Sequence, residues 1–218
     1  MKIKVLYIFF LLFFALAREG FTCTEGDKKQ PQSQPKASSQ LTSVCSGLAD
    51  KLKSTKYELV SLSSEYVGEE QGKSRMKEFF VQYLKEDELL PYRVFITSEG
   101  SFVNYQKRKW DTVAGASLLG EAMYVLRDNG DIIVSNRIQE GRFHHSSLGG
   151  GKPVACAGTI RIENGKLTLV TNESGHYKPG RKQLDQMIER LRELGVNTKG
   201  VRVRLIERGK HIETSLKK

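Results

Sequence analysis

The stretches RFHHSSLGGGKPVACAGTI and NESGHYKPG hold His144, His145 and His176, three of the chain's four histidines, beside Ser146, Ser147, Ser174 and Tyr177. Those residue types could support three kinds of chemistry. Nucleophilic catalysis needs a hydroxyl, a base and a group that orients the base, all in contact. His145 or His176 could be the base, with Ser147 or Tyr177 as its partner, in a hydrolase- or transferase-type enzyme. No G-x-S-x-G elbow is present, however, and no acid is placed by spacing to orient a histidine. Metal binding would use His144, His145 and His176 as a three-histidine set. Adjacent histidines on a strand point apart and no H-E-x-x-H pattern occurs, so neither a metal nor a cofactor is expected.

The third chemistry is ligand binding. SGHYKPGRK runs into a well-patterned helix whose free amides and dipole favour an anion, with Lys178, Arg181 and Lys182 beside them. The expected site takes His144, His145, Ser146 and Ser147 from the first motif and Ser174, Gly175, His176, Tyr177, Lys178 and Arg181 from the second. Gly149, Gly150 and Gly151 could bring backbone amides up to a ligand. They do not form a Walker loop, because Ser146 stands at its first glycine and Pro153 at its Ser or Thr. A competing structural reading has Ser174 and His176 fixing a turn with Gly175 and Pro179. RFHHSS is expected as a strand, with His144 and Ser146 on one face and His145 and Ser147 on the other, and the structural reading puts one His–Ser pair in the core and the other in water.

The elements that must position these residues follow from hydrophobic periodicity. Leu41, Val44, Cys45, Leu48 and Leu52 fall at helical spacing, as do Met76, Phe79, Phe80, Tyr83 and Leu84. From Pro91 the pattern changes to YRVFIT, SFVNYQ, EAMYVLRD, DIIVS, PVACAGTIRIE, KLTLVT and VRVRLIE, short strand-like runs divided by turn signals. Two dividers, DNG at Asp128–Gly130 and NG at Asn164–Gly165, suit tight hairpins. A third helix, GRKQLDQMIERLRELG, repeats apolar residues at Leu184, Met187, Ile188, Leu191 and Leu194 and stops at Gly195. The predicted fold is α+β: a single domain over 41–218, with N-terminal helices in 41–90 and a mainly antiparallel sheet carrying the motif region in 91–218, three helices in all.

Ahead of that domain, MKIK followed by VLYIFFLLFFALA has the layout of a signal peptide over 1–17, too short for a membrane span. A lipoprotein anchored at Cys23 is the alternative. Residues 18–40 are rich in Gln, Ser, Lys and Pro and read as a disordered polar tether. Export to the periplasm or the medium is therefore expected, with no transmembrane span once the signal is removed. The formal charge of +10 falls to +8 without Lys2 and Lys4, which points to an anionic small molecule, an anionic polymer or an acidic protein surface as partner. Nucleic acid is set aside, because the basic residues are scattered and no nucleic-acid motif occurs. Cys23, Cys45 and Cys156 are odd in number and lack C-x-x-C spacing. Cys45 and Cys156 could pair, or Cys156 could pack in VACAG as a small apolar residue.

The order YVLRDNGDIIVS, GRFHHSSLGGGKPVACAGTI, ENGKLTLV, NESGHYKPG and LRELGVNTKGVRV resembles the shared region of plant IQ-motif calmodulin-binding proteins and of similar bacterial proteins, over about Glu121–Leu205. The resemblance implies a common domain and carries over no catalytic residue. IQEGRFHH lacks the arginine spacing of a calmodulin-binding IQ motif, so calmodulin is not expected as a partner. The sequence reading is thus of an exported domain binding an anionic ligand at the HHSS/SGHYKP site, with enzymatic use of His176 or His145 as the alternative.

Overall fold

A computed structural model describes residues 56–75, 80–114 and 119–217. The expected signal peptide, the tether, Cys23, Cys45 and the helix around Leu41–Leu52 lie outside these residues. The described chain is α+β and mostly antiparallel. A two-stranded ribbon pairs β1 (Phe95–Ile96) with β2 (Phe102–Val103). A six-stranded sheet contains β3 (Ala122–Leu126), β4 (Ile132–Ser135), β5 (Cys156–Glu163), β6 (Lys166–Thr171), β7 (Arg202–Glu207) and β8 (Lys210–Ser215), in the order β4-β3-β5-β6-β7-β8.

The hairpins arise where short turns were expected. Asn164 and Gly165 both take positive φ, 48° and 81°, and join β5 to β6 in the way a tight two-residue turn requires. Asp128–Gly130 joins β3 to β4, closed by the Arg127 amide donating to Asp131 O at 2.9 Å. β8 was not expected. Its turn is Arg208–Gly209, with φ 50° and 75°, and Arg-Gly is not a dipeptide that signals a hairpin. β6 and β7 form the one parallel pair in this sheet. Parallel neighbours need a crossover, and it is supplied by the helix Arg181–Glu193.

Two α-helices occur among the described residues, where the sequence led us to expect three over the whole chain: α1 (His145–Gly149) and α2 (Arg181–Glu193). α2 follows its periodicity. Leu184, Met187, Ile188 and Leu191 are buried against Tyr124, Leu126, Ile160, Val170 and Leu205, each burial worth roughly 1.5–3 kcal/mol. The Val196 amide donates to Leu191 O beyond Gly195, whose φ of 85° ends the helix. The opposite face of β3–β5, with Met123, Val125 and Ala157, packs on Leu148 of α1, Phe143, Leu84, Leu89 and Tyr177.

Two expectations are corrected. The helix expected through Tyr83 and Leu84 is absent over 80–85. There the amides of Phe80, Gln82 and Leu84 donate to Gly141, Arg142 and Ser147 carbonyls, so extended backbone with tertiary partners replaces the helical turn, and Phe80 is exposed. RFHHSS is not a strand. His144 is the extended N-cap residue of α1 (φ −137°, ψ −174°), and Gly150 at φ 60° stops the helix one turn later.

Candidate functional site

α1 and the loop from β6 to α2 bring the two motifs together. His144 and His176 stack with ring centroids 4.5 Å apart. Tyr66 stacks on His176 at 4.0 Å, so the imidazole is sandwiched between the two. The His176 Nε2 lies 3.1 Å from Glu69 Oε2, and Glu69 is fully buried. The Tyr83 hydroxyl donates to Glu69 Oε1 at 3.2 Å. Burial, then the Glu69 charge, raises the Tyr83 phenol well above its ordinary range. His144 Nε2 accepts from the Gly141 amide at 2.9 Å, which needs an unprotonated nitrogen. Burial, and after it His176, lowers the His144 pKa.

The other motif residues are committed to the fold. His145 is buried and its Nε2 donates to Gly158 O at 2.9 Å; burial pushes its pKa down to about 4. The Ser147 Oγ accepts from the His144 amide at 3.0 Å. Ser146 Oγ is buried without a hydrogen-bond partner among the described residues. Tyr177 is buried and donates to Lys152 O at 2.9 Å. Ser174 holds the turn, its carbonyl accepting from the Lys178 amide at 2.8 Å. The glycine run is a packing device. A Cβ at Gly149 would collide with the Tyr177 hydroxyl and one at Gly151, at φ 69°, with the Tyr83 ring.

The cations at the start of α2 are held by carboxylates. Lys178 pairs with Glu65, Lys182 with Glu58, and Arg181 with Glu207 at 3.3 Å. The Glu65 bond raises the Lys178 pKa. The Gly180 amide donates to Gln183 Oε1 at 3.0 Å, so the helix supplies its own cap. Asn172 braces the loop: its Nδ2 donates to Pro179 O at 2.7 Å and to Ile206 O at 2.9 Å, while its Oδ1 accepts from the Ile206 amide at 2.7 Å. The outer side of the same loop lines a cavity of about 480 Å³ with Glu173, Ser174, Gly175, Lys178, Ile206 and Arg208 among its walls.

Sequence reasoning missed Glu69, Tyr66 and Tyr83 as members of this cluster. VGEEQG carries no periodicity, and the two glycines at φ 83° and 66° that turn it, Gly68 and Gly72, were its one signal. Cys156 is a buried core thiol in contact with the Tyr124 hydroxyl at 3.2 Å.

Residues 89–184 match the middle domain of IQ motif-containing proteins. Among curated proteins, the IQ domain-containing protein IQM3 of Arabidopsis thaliana is 30% identical over 132 residues, covering 60% of this chain and 28% of that protein. IQM5 of the same plant is 29% identical over 133 residues, covering 61% and 26%. The chain thus spans little more than a quarter of either relative. No solved structure matches it. These findings support the resemblance to the plant IQ-motif family and correct two expectations. The matching proteins are plant IQ domain-containing proteins, not secreted or periplasmic ones. The similarity to IQ motif-containing proteins also overturns the dismissal of calmodulin and the choice of anionic partners in its place.

Proposed function

We propose that the domain matched by the middle of IQ motif-containing proteins is a ligand-binding module, whose ligand occupies the cavity between the SGHYKP loop and the β7–β8 hairpin. We further infer that HHSS, AG and SGHYKP, in that order, form the signature of the module. The observation that carries the reading is the two-sidedness of the loop. Its inner residues, His176 and Tyr177, are buried in the fold, while Ser174, Gly175 and Lys178 face the cavity of about 480 Å³, a size suited to a small molecule. Glu173 stands among its walls with Lys178 and Arg208, so a ligand bearing both donor and acceptor groups suits it better than a simple anion.

The test is a ligand-observed NMR screen of small polar metabolites against the parent protein and Gly175→Leu. Gly175 lines the cavity, and a Cβ there meets nothing nearer than the Tyr66 hydroxyl at 3.9 Å, so the position has room for a larger side chain. Hits that vanish in Gly175→Leu, at unchanged melting temperature, support the reading. Hits that bind both proteins equally remove it.

A second reading is favoured by the His176–Glu69 contact. A buried carboxylate against an imidazole is an arrangement used to hold a general base. With His145, Ser147 and Tyr177 engaged in structural hydrogen bonds, His176 is the candidate that remains. Turnover of an NMR hit, abolished in His176→Ala, would make it the better account. Calmodulin is a partner to test as well. Ile138, 57% exposed between Arg137 and Arg142, offers an apolar side chain ahead of α1, and calorimetric titration of calmodulin into the parent protein and Ile138→Asp decides whether that segment is used.

A further inference from the structure

We infer that residues 63–75 form a flap closed over His176, so that a ligand held at the SGHYKP loop meets this histidine only when the flap opens. This rests on the ligand-binding reading above. The flap lies outside the span matched by the IQ motif-containing family, which begins at residue 89, yet it contributes groups that cover His176: the Tyr66 ring over its imidazole and the Glu69 carboxylate at its Nε2. It also lies beside the motif loop, since the Tyr66 hydroxyl is the nearest atom to a Cβ built at Gly175.

Beside the Tyr66 ring stack, polar bonds attach it. The Ser63 amide donates to His176 O at 2.8 Å, Glu65 pairs with Lys178, and the Val81 amide donates to Glu69 O at 3.2 Å. Val67, the one aliphatic hydrophobic residue in 63–75, is 60% exposed and belongs to neither core cluster. The chain on either side is anchored differently. Val60 is paired with Val154 through backbone bonds and packs on the core, and Leu84 is buried in it. A segment held by a ring stack, hydrogen bonds and an ion pair, between anchors that bury apolar surface, is a part of a fold that can open locally. Opening returns Glu69 to water, which offsets part of the contacts it gives up.

The four histidines supply their own controls when diethyl pyrocarbonate labelling at neutral pH is mapped by mass spectrometry. His211 is exposed on β8 and reports full reactivity, while His145 is buried in α1 and reports global unfolding. In the parent protein His176 should react far more slowly than His211. In Tyr66→Ala/Glu69→Ala, and in the milder rim variant Glu65→Lys, the His176 rate should rise, by at least about tenfold in the double variant, with His145 still protected. If His176 gains reactivity only together with His145, the segment is part of the cooperative core and the flap does not exist. The idea is equally overturned if His176 stays unreactive in both variants at an unchanged rate. Labelling does not depend on any ligand, so an empty metabolite screen beside a positive labelling result discards the cavity reading and leaves the flap standing.

Discussion

At the scale of single residues, the two adjacent histidines have opposite duties. His144 ends the extended backbone before α1 and meets His176, whereas His145 is folded into the core against Gly158. The His145 pKa lies at about 4, below its ordinary 6.5, so over that window the unfolded chain binds a proton that the folded one refuses. Stability contributed by the neutral ring is intact above pH 6.5 and is lost as pH falls through the window, by about 3 kcal/mol once pH nears 4. Urea unfolding of the parent and of His145→Gln should therefore diverge in pH dependence between 6.5 and 4, with the variant flatter. Parallel curves would mean that His145 is not the group responsible. Cys156 makes a separate prediction. Its thiol is fully buried and pushed up to about 12 by burial, so it should resist Ellman-type reagents in the native state at pH 8 and react on denaturation. Rapid native labelling mapped to Cys156 would contradict that placement.

At the scale of elements, α2 carries the clearest energetic weight. Leu191 is fully buried between the helix and the sheet, and Leu191→Ala should cost about 2–5 kcal/mol in chemical unfolding; a loss under about 1 kcal/mol would mean that the helix face is loosely packed. This helix was legible because its apolar period and its stop at Gly195 are local facts. The β3–β4 and β5–β6 hairpins were legible for the same reason, through Asp128–Gly130 and Asn164–Gly165. What could not be read depends on distant partners. Phe80–Lys85 looks helical by spacing, but its amides find carbonyls at 141–147, a choice no local pattern records. The helical nature of His145–Gly149 could have been suspected from Ser147 three residues after His144, followed by glycines able to stop a helix. The site was half legible: His144, His176 and the cavity-facing Ser174, Gly175 and Lys178 stand in recognisable motifs, whereas Glu69 and Tyr66 enter through tertiary contact from a polar stretch with no pattern.

At the scale of the whole molecule, the sheet has unequal edges. β4 is covered by the Arg93–Ile133 bridge and by the Val94 amide donating to Ile132 O at 3.0 Å, while every residue of β8 is exposed. β3 is buried on both faces. Amide hydrogen exchange should accordingly be slowest in β3 and β5 and fastest in β8, with 63–75 exchanging ahead of the sheet centre; uniform protection from β3 to β8 would speak against this gradient. The bracing of the motif loop by Asn172 has a further consequence for any molecule that binds beside it. Because one side-chain amide fastens Pro179 and Ile206 together, the end of β6, the approach to α2 and the end of β7 form a ring that is already ordered before a ligand arrives. Calorimetry should then show association with little unfavourable conformational entropy, and Asn172→Ala should weaken affinity mainly through that entropy, since both N–H groups of the amide are already committed within the fold.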